Sequence, residues 1–346
     1  MFLNSLNHFR AIAIVFIVAG HCTYLANVGI ETFPERVFAT LIHGGTSLFV
    51  FISGFLFHYI FYQRYHFKKF MSGKLKKVLL PYTVLSTFPI VSLLLSREGY
   101  YSTFTLTGNS FVDYIVPAFE YYTTGSFAIA YWYIPFVMVV FLMSPLHVAF
   151  IRLSLKQQKL ITFVLFIVAL FLHRPVENIL ILQSVVYFTP VYLFGIMCSE
   201  QRAAIYSRLK NKEIYVLALA ISIAVLQVTL GHTGSYEKPP FVYAGIDLML
   251  IQKVLLCLFF MVWLHRFEDV QSKYIGVLAS ASFAVYFTHG FFTLVGYKLL
   301  SMFSYTIERS WIWYPFITAG VIVSCLVLAG IVKKLIPNYS RYIIGY

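Results

Sequence analysis

The sequence predicts an all-α, polytopic membrane helical bundle of about ten spans, and three observations carry that expectation. Of 346 residues, 60% are hydrophobic and only 11% are charged. Mean hydropathy is +0.80. The apolar residues also fall in runs near the length that crosses about 30 Å of hydrocarbon at about 1.5 Å per helical residue. A soluble domain of this length needs a polar surface that these residues do not supply. The aromatic fraction of 19% suits a bilayer protein whose rings settle at headgroup level.

The runs are 8–28, 38–62, 78–96, 128–149, 160–173, 178–198, 214–231, 244–264, 274–300 and 312–332. The fifth is short and the ninth long, which predicts tilt or a re-entrant path there. Prolines at 81, 89, 135, 145 and 190 lie in or beside spans, where neighbouring helices satisfy the freed backbone groups. The first run has no preceding lysine and contains His21, so it reads as a retained helix rather than a cleaved leader. Loops 97–127 and 232–243 are the longest on one side. The former, with Asp113, Glu120, Tyr121 and Tyr122, predicts a short helix lying over the bundle. Short loops predict no appended soluble domain, so residues 1–346 are expected to form a single membrane-embedded unit. No internal repeat and no pair of interrupted helices of the inverted-repeat transporter kind stand out.

The net charge of +13 invites a nucleic-acid reading, but the positions of the cations exclude it. Counted by loop, 19 of the 26 Lys and Arg fall on one side and 5 on the other, with Lys253 and Lys298 inside apolar runs. That bias predicts both termini in the cytoplasm. Cys22, Cys198, Cys257 and Cys325 each lie in an apolar run with no C-x-x-C pair, so neither a metal site nor a disulfide framework is expected.

Chemistry concentrates in the first helix. Arg10 and His21 are separated by ten residues. Eleven steps of about 100° return to within about 20° of the same face, about 16 Å further along the axis. Arg10 therefore sits at the cytoplasmic mouth and His21 deep in the bilayer, where an ionisable group is costly and marks function by default. The alternative is an interhelical hydrogen bond from His21 and a topological role for Arg10. Lys253, six residues after Asp247, is an intramembrane cation that either snorkels or pairs within the bundle.

The Arg, ten residues, His spacing resembles the signature of the acyltransferase-3 family of integral-membrane O-acyltransferases. Four further segments resemble that family in order: GGTSLFVFISGFLF (Gly44–Phe57) with Ser53-Gly54-Phe55, the basic GKLKKVLLPY (Gly73–Tyr82), AYWYIPF (Ala130–Phe136), and SASFAVYFTH (Ser280–His289). The family usually has arginines in the basic loop where this chain has lysines. The resemblance implies transfer of an acyl group, most often acetyl, from cytoplasmic acyl-CoA to a hydroxyl of a surface glycan or its lipid-linked precursor, in a bacterial cytoplasmic (inner) membrane. It implies acyl-CoA as co-substrate with no tightly bound cofactor, and as partners the lipid bilayer and a glycan rather than nucleic acid.

On that reading Arg10, Lys74 and Lys77 bind the donor phosphates, and the pantetheine arm reaches inward to His21. Ser53, about 13 Å inside the second span, orients the imidazole or the thioester oxygen. His21 is either general base toward the acceptor hydroxyl or the carrier of an acyl-histidine intermediate. His289 is a second catalytic candidate, with a tautomer-fixed structural histidine as the alternative. Trp132, Tyr133 and His43 are candidates for the acceptor side, with belt aromatics and a loop histidine as theirs. The rival class is a polysaccharide or lipid-linked-sugar exporter without covalent chemistry.

Overall fold

A computed structural model describes residues 3–96, 107–304, 307 and 311–346; Arg97 and Arg309 of the charge count lie outside them. Of the described residues 77% are helical. Apart from one isolated parallel bridge between Arg174 and Glu237, the described residues form no sheet.

The first span is α1 (Asn4–Leu25). Its own residues supply no side-chain cap. The carboxylate of Glu268 instead accepts from Asn4 N at 2.7 Å and Ser5 N at 3.3 Å, satisfying first-turn donors that a helix leaves open. The second span is broken. α2 (Phe33–Ile42) opens on a capping box between Thr32 and Glu35, and α3 (Thr46–Leu56) follows after His43–Gly45. Gly44 makes the break at φ +75°, a left-handed conformation that glycine adopts without steric cost. A π turn (Phe57–Phe61) closes this span. The third comprises α4 (Phe67–Lys74), a π turn (Leu75–Leu79) and α5 (Leu80–Ser96).

The helix over the bundle is α6 (Val116–Thr124), entered through a π turn at Phe111–Ile115. Asp113 orders the approach to it by accepting from Thr107 and from Gly108 N. Next come α7 (Tyr133–Leu142), α8 (Ser144–Ile151), α9 (Leu155–Leu172), α10 (Ile181–Glu200), α11 (Arg202–Leu209), α12 (Glu213–Thr229), α13 (Leu248–His265), α14 (Lys273–Ser280), α15 (Ser282–Met302), α16 (Trp313–Leu335) and the short α17 (Ser340–Ile343).

Among the described residues, seven helices are long and apolar enough to cross a membrane, and ten if each bent pair is one span. Every predicted run is found in order. The fifth proves longer than its apolar run because a Ser154–Gln157 capping box starts α9 on the polar residues Lys156–Lys159. The ninth bends by 73° between α14 and α15 and the fourth by 54° between α7 and α8, whereas the seventh falls on α12 alone, which the preceding α11 meets at 89°. Interruptions are therefore commoner than the sequence suggested.

α1 runs through the middle, against α2, α3, α13, α14, α15 and α16. Ala13, Ile14, Val18 and Cys22 are fully buried there. α3 and α10 approach closely because glycines face each other's backbone. A Cβ on Gly54 would fall on the Tyr192 carbonyl, and one on Gly195 on that of Phe51. Small residues serve this purpose between membrane helices, where close van der Waals packing drives association. Burial separates the layers: α10 lies mostly inside the protein, whereas α9 is mostly exposed on its outside.

Candidate active site

α1 and α15 are odd-numbered spans and run parallel. Their registers match at two levels. At the lower, Arg10 donates from a terminal guanidinium nitrogen to Ser282 Oγ at 2.9 Å. At the upper, the rings of His21 and His289 lie 5.3 Å apart at 35°. Seven residues of α15 rise about 10 Å against about 16 Å for eleven of α1, a difference that long side chains bridge. The two motifs thus meet at both ends.

His289 is fully buried. Its Nδ1 lies 2.7 Å from the Tyr286 carbonyl and 3.1 Å from that of Val285. Carbonyl oxygens only accept, so Nδ1 carries the proton and Nε2 is left as the lone-pair nitrogen. Nε2 is buried and has no partner among the described residues. Its tautomer is fixed by its own helix rather than by a neighbouring one. His21 is half-buried between half-buried Gly20 and buried Cys22, and among the described residues it makes no hydrogen bond. The centre therefore consists of two imidazoles in contact, each with unoccupied proton-accepting capacity.

Ser53 is half-buried, and its hydroxyl is paired with that of Tyr133. No direct hydrogen bond joins it to His21 among the described residues. Tyr133 is buried, with its ring 5.6 Å from Tyr286, and Tyr286 lies 6.0 Å from His289. Beyond the Ser53–Tyr133 pair, the link to the histidines runs through ring contacts of Tyr133 and Tyr286. Tyr286 also donates to the Ala130 carbonyl, and Tyr131 donates to that of Phe287 at 2.8 Å. These bonds tie the Trp-aromatic segment to α15.

At the Arg10 end, Lys74 is half-buried with its ammonium 4.0 Å from the Phe141 ring centre, 4.8 Å from Phe61 and 5.1 Å from Phe70. Such cation–π contacts hold a cation without neutralising it. Lys77 is exposed. The charges of Lys77 and Arg10 both act on Lys74, so the three predicted cations lie near one another.

At the opposite end, His43 caps α2 with Nδ1 2.7 Å from the Ala39 carbonyl. Its ring lies beside Gly20 and Gly234. Lys253 donates to the Leu41 carbonyl at 2.7 Å and to Thr40 at 3.2 Å. It therefore holds the open end of the broken second span, which favours a cation. Asp247 is not its partner: it accepts from Tyr187 at 2.7 Å and caps α13 through Leu250 N.

Arg174, read from sequence only as a loop charge, is buried here. It donates to Ser235 at 2.8 Å and Asn178 at 2.7 Å. Its guanidinium lies 5.4 Å from the Trp132 ring centre, and its charge acts on both His21 and His43. A loop arginine could have been suspected only from the contacts between loops 173–180 and 231–247, which spacing does not disclose. Two apolar crevices of about 510 and 580 Å³, lined respectively by residues such as Phe163 and Phe194 and by Gly296 and Phe303, contain none of these groups. All four cysteines are free and buried. No cluster of three metal-ligating side chains occurs among the described residues.

Fold and site define a multi-pass integral-membrane protein with a histidine pair in its core and cations at one mouth. Residues 3–330 match the family profile described as an acyltransferase domain. The chain belongs to the acyltransferase-3 family and is a membrane O-acyltransferase, moving groups other than aminoacyl groups. No curated protein and no solved structure matches it.

Proposed function

We propose that this enzyme moves an acyl group, acetyl by preference, from cytoplasmic acyl-CoA to a hydroxyl of an extracytoplasmic glycan or lipid-linked saccharide. On this reading it works in a bacterial cytoplasmic membrane with both termini in the cytoplasm, in accord with the bias of positive charge between loops. The observation that carries the proposal is the His21–His289 contact, 5.3 Å between ring centres, with Nε2 of His289 unpartnered.

The chemistry balances within the bundle. His21 accepts the proton of the acceptor hydroxyl as its oxygen attacks the thioester carbonyl. The C–S bond breaks, and the proton passes from the imidazole to the departing thiolate. His289 Nε2 accepts a hydrogen bond from the transient imidazolium and steadies it, as a fixed acceptor does in general acid–base catalysis. Ser53 and Tyr133 offer hydroxyl donors to the thioester oxygen. Arg10, Lys74 and Lys77 hold the nucleotide phosphates. On the far side Trp132, carrying the Arg174 guanidinium, presents an aromatic and cationic surface to a saccharide, with His43 beside it.

The test is an assay in membranes with radiolabelled acetyl-CoA and glycan. Wild-type membranes should yield labelled ester. His21→Ala should lower its rate at least about 100-fold, the usual share of a general base. Glycan movement across the membrane with no ester formed would establish the exporter in its place, and an active His21→Ala would remove the base assignment.

A further inference from the structure

We propose that the C-terminal tail, residues 336–346, forms one wall of the cationic mouth and supplies Arg341 as a fourth cation for the phosphates of the acyl donor. The inference rests on the acyl-CoA reading above and extends it to a segment beyond the residues that match the family, which end at 330.

The tail turns back under the bundle after α16 and is fixed there by several contacts. Ile344 is buried with Ala284 and Ala329. Gly345 packs on Phe283, where an added Cβ would lie 3.1 Å from that residue's own Cβ. Ser340 Oγ donates to the Tyr346 carbonyl at 2.6 Å, and the Lys333 ammonium sits 3.8 Å from the Tyr346 ring centre.

Two contacts place this segment at the mouth. Phe283, under Gly345, directly follows Ser282, the residue that receives the Arg10 hydrogen bond. α17 also lies against the π turn Leu75–Leu79, which carries Lys77, and against α5. Arg341 is exposed, and its charge acts on Arg10.

Four cations from three separate parts of the chain therefore lie at the same end of the α1–α15 seam. Among the described residues none of the four forms an ion pair with a carboxylate; the pairs present are Arg266 with Glu213 and His265 with Glu268. Converging like charges repel, and a fold that anchors them in place with aromatic rings, a serine and a packed tail holds a field suited to a polyanion. A lone anion needs one or two cations. A nucleotide with a pyrophosphate and a further phosphate can occupy all four.

The experiment uses the full-length protein in lipid nanodiscs and measures binding of CoA and of pantetheine, which lacks the nucleotide. Arg341→Gln should weaken CoA binding about 5- to 10-fold, the effect of one charge-assisted contact, and leave pantetheine unchanged. Ile344→Asp, which unseats the tail without touching its arginine, should give the same pattern. Equal CoA affinity in wild type and Arg341→Gln would overturn the proposal while leaving the donor reading intact. Parallel losses for CoA and pantetheine would assign the tail a purely structural role and overturn it too. A wild-type protein that binds no CoA would instead overturn the donor reading on which the proposal rests.

Discussion

The two ends of the α1–α15 seam are built in opposite ways. At the Arg10 end every cation that faces the mouth from the core is held: Arg10 by Ser282 and Lys74 by three aromatic rings. At the His21 end, about 16 Å away along the helix, hydrogen-bonding capacity is left open. His289 spends one nitrogen on its own backbone and keeps the other unpartnered. Buried polar groups are normally satisfied, so an orphan at this depth calls for an explanation. A held cation is suited to binding and orienting a ligand. An imidazole with a free lone pair is suited to moving a proton. The contrast divides the seam into a positioning half and a reacting half.

The largest effect should come from the reacting half. His289→Gln keeps a polar side chain of similar size but cannot present a basic nitrogen to His21. It should lower kcat about 100-fold and leave the KM for acyl-CoA within a factor of about two, a split typical of an interaction made only in the transition state. Steady-state kinetics in membranes would check this. A rise in KM with kcat preserved would show that both ends of the seam serve binding and would dissolve the contrast.

A smaller and different effect should follow at the positioning half. Arg10→Lys preserves the charge but loses the planar fork, so one nitrogen can no longer hold Ser282 while others face phosphate. The KM for acyl-CoA should rise about 10-fold, near the value of one charge-assisted hydrogen bond, with kcat much less affected. Double substitution with Ser282→Ala should add little, because the two residues share one contact.

Much of this was legible in the sequence, for physical reasons. Apolar runs report spans because lipid requires it, and the spacing of Arg10 and His21 reports a shared face because the helix repeat is fixed. The grouping of Arg10 with Lys74 and Lys77 was expected from the family resemblance rather than from spacing. What spacing could not disclose is which helix stands opposite. The pairing of His21 with His289, of Arg10 with Ser282, and of Lys253 with the open end of α2 depends on tertiary packing. The bend at Ala281 falls in the ninth run, whose length already predicted tilt or a re-entrant path, and the bend at Met143 stands two residues before Pro145; spacing did not disclose how sharp either bend is. Arg174 was read as a topological charge because only the meeting of two loops buries it.

The acceptor side offers the mildest test of the division. Trp132 is half-buried and carries the Arg174 guanidinium 5.4 Å from its ring centre, so it is a platform rather than a reactive group. Trp132→Leu keeps an apolar side chain and removes the π face. Loss of one cation–π or stacking contact is worth about 1 kcal/mol, which corresponds to a KM for the acceptor glycan raised about 5-fold. The KM for acyl-CoA should not move, since the cations that hold it lie at the other end of α1. A change in the donor KM instead would mean that Trp132 reaches the positioning half through α7, where Phe141 contacts Lys74, and that the two ends of the seam are mechanically coupled rather than separate.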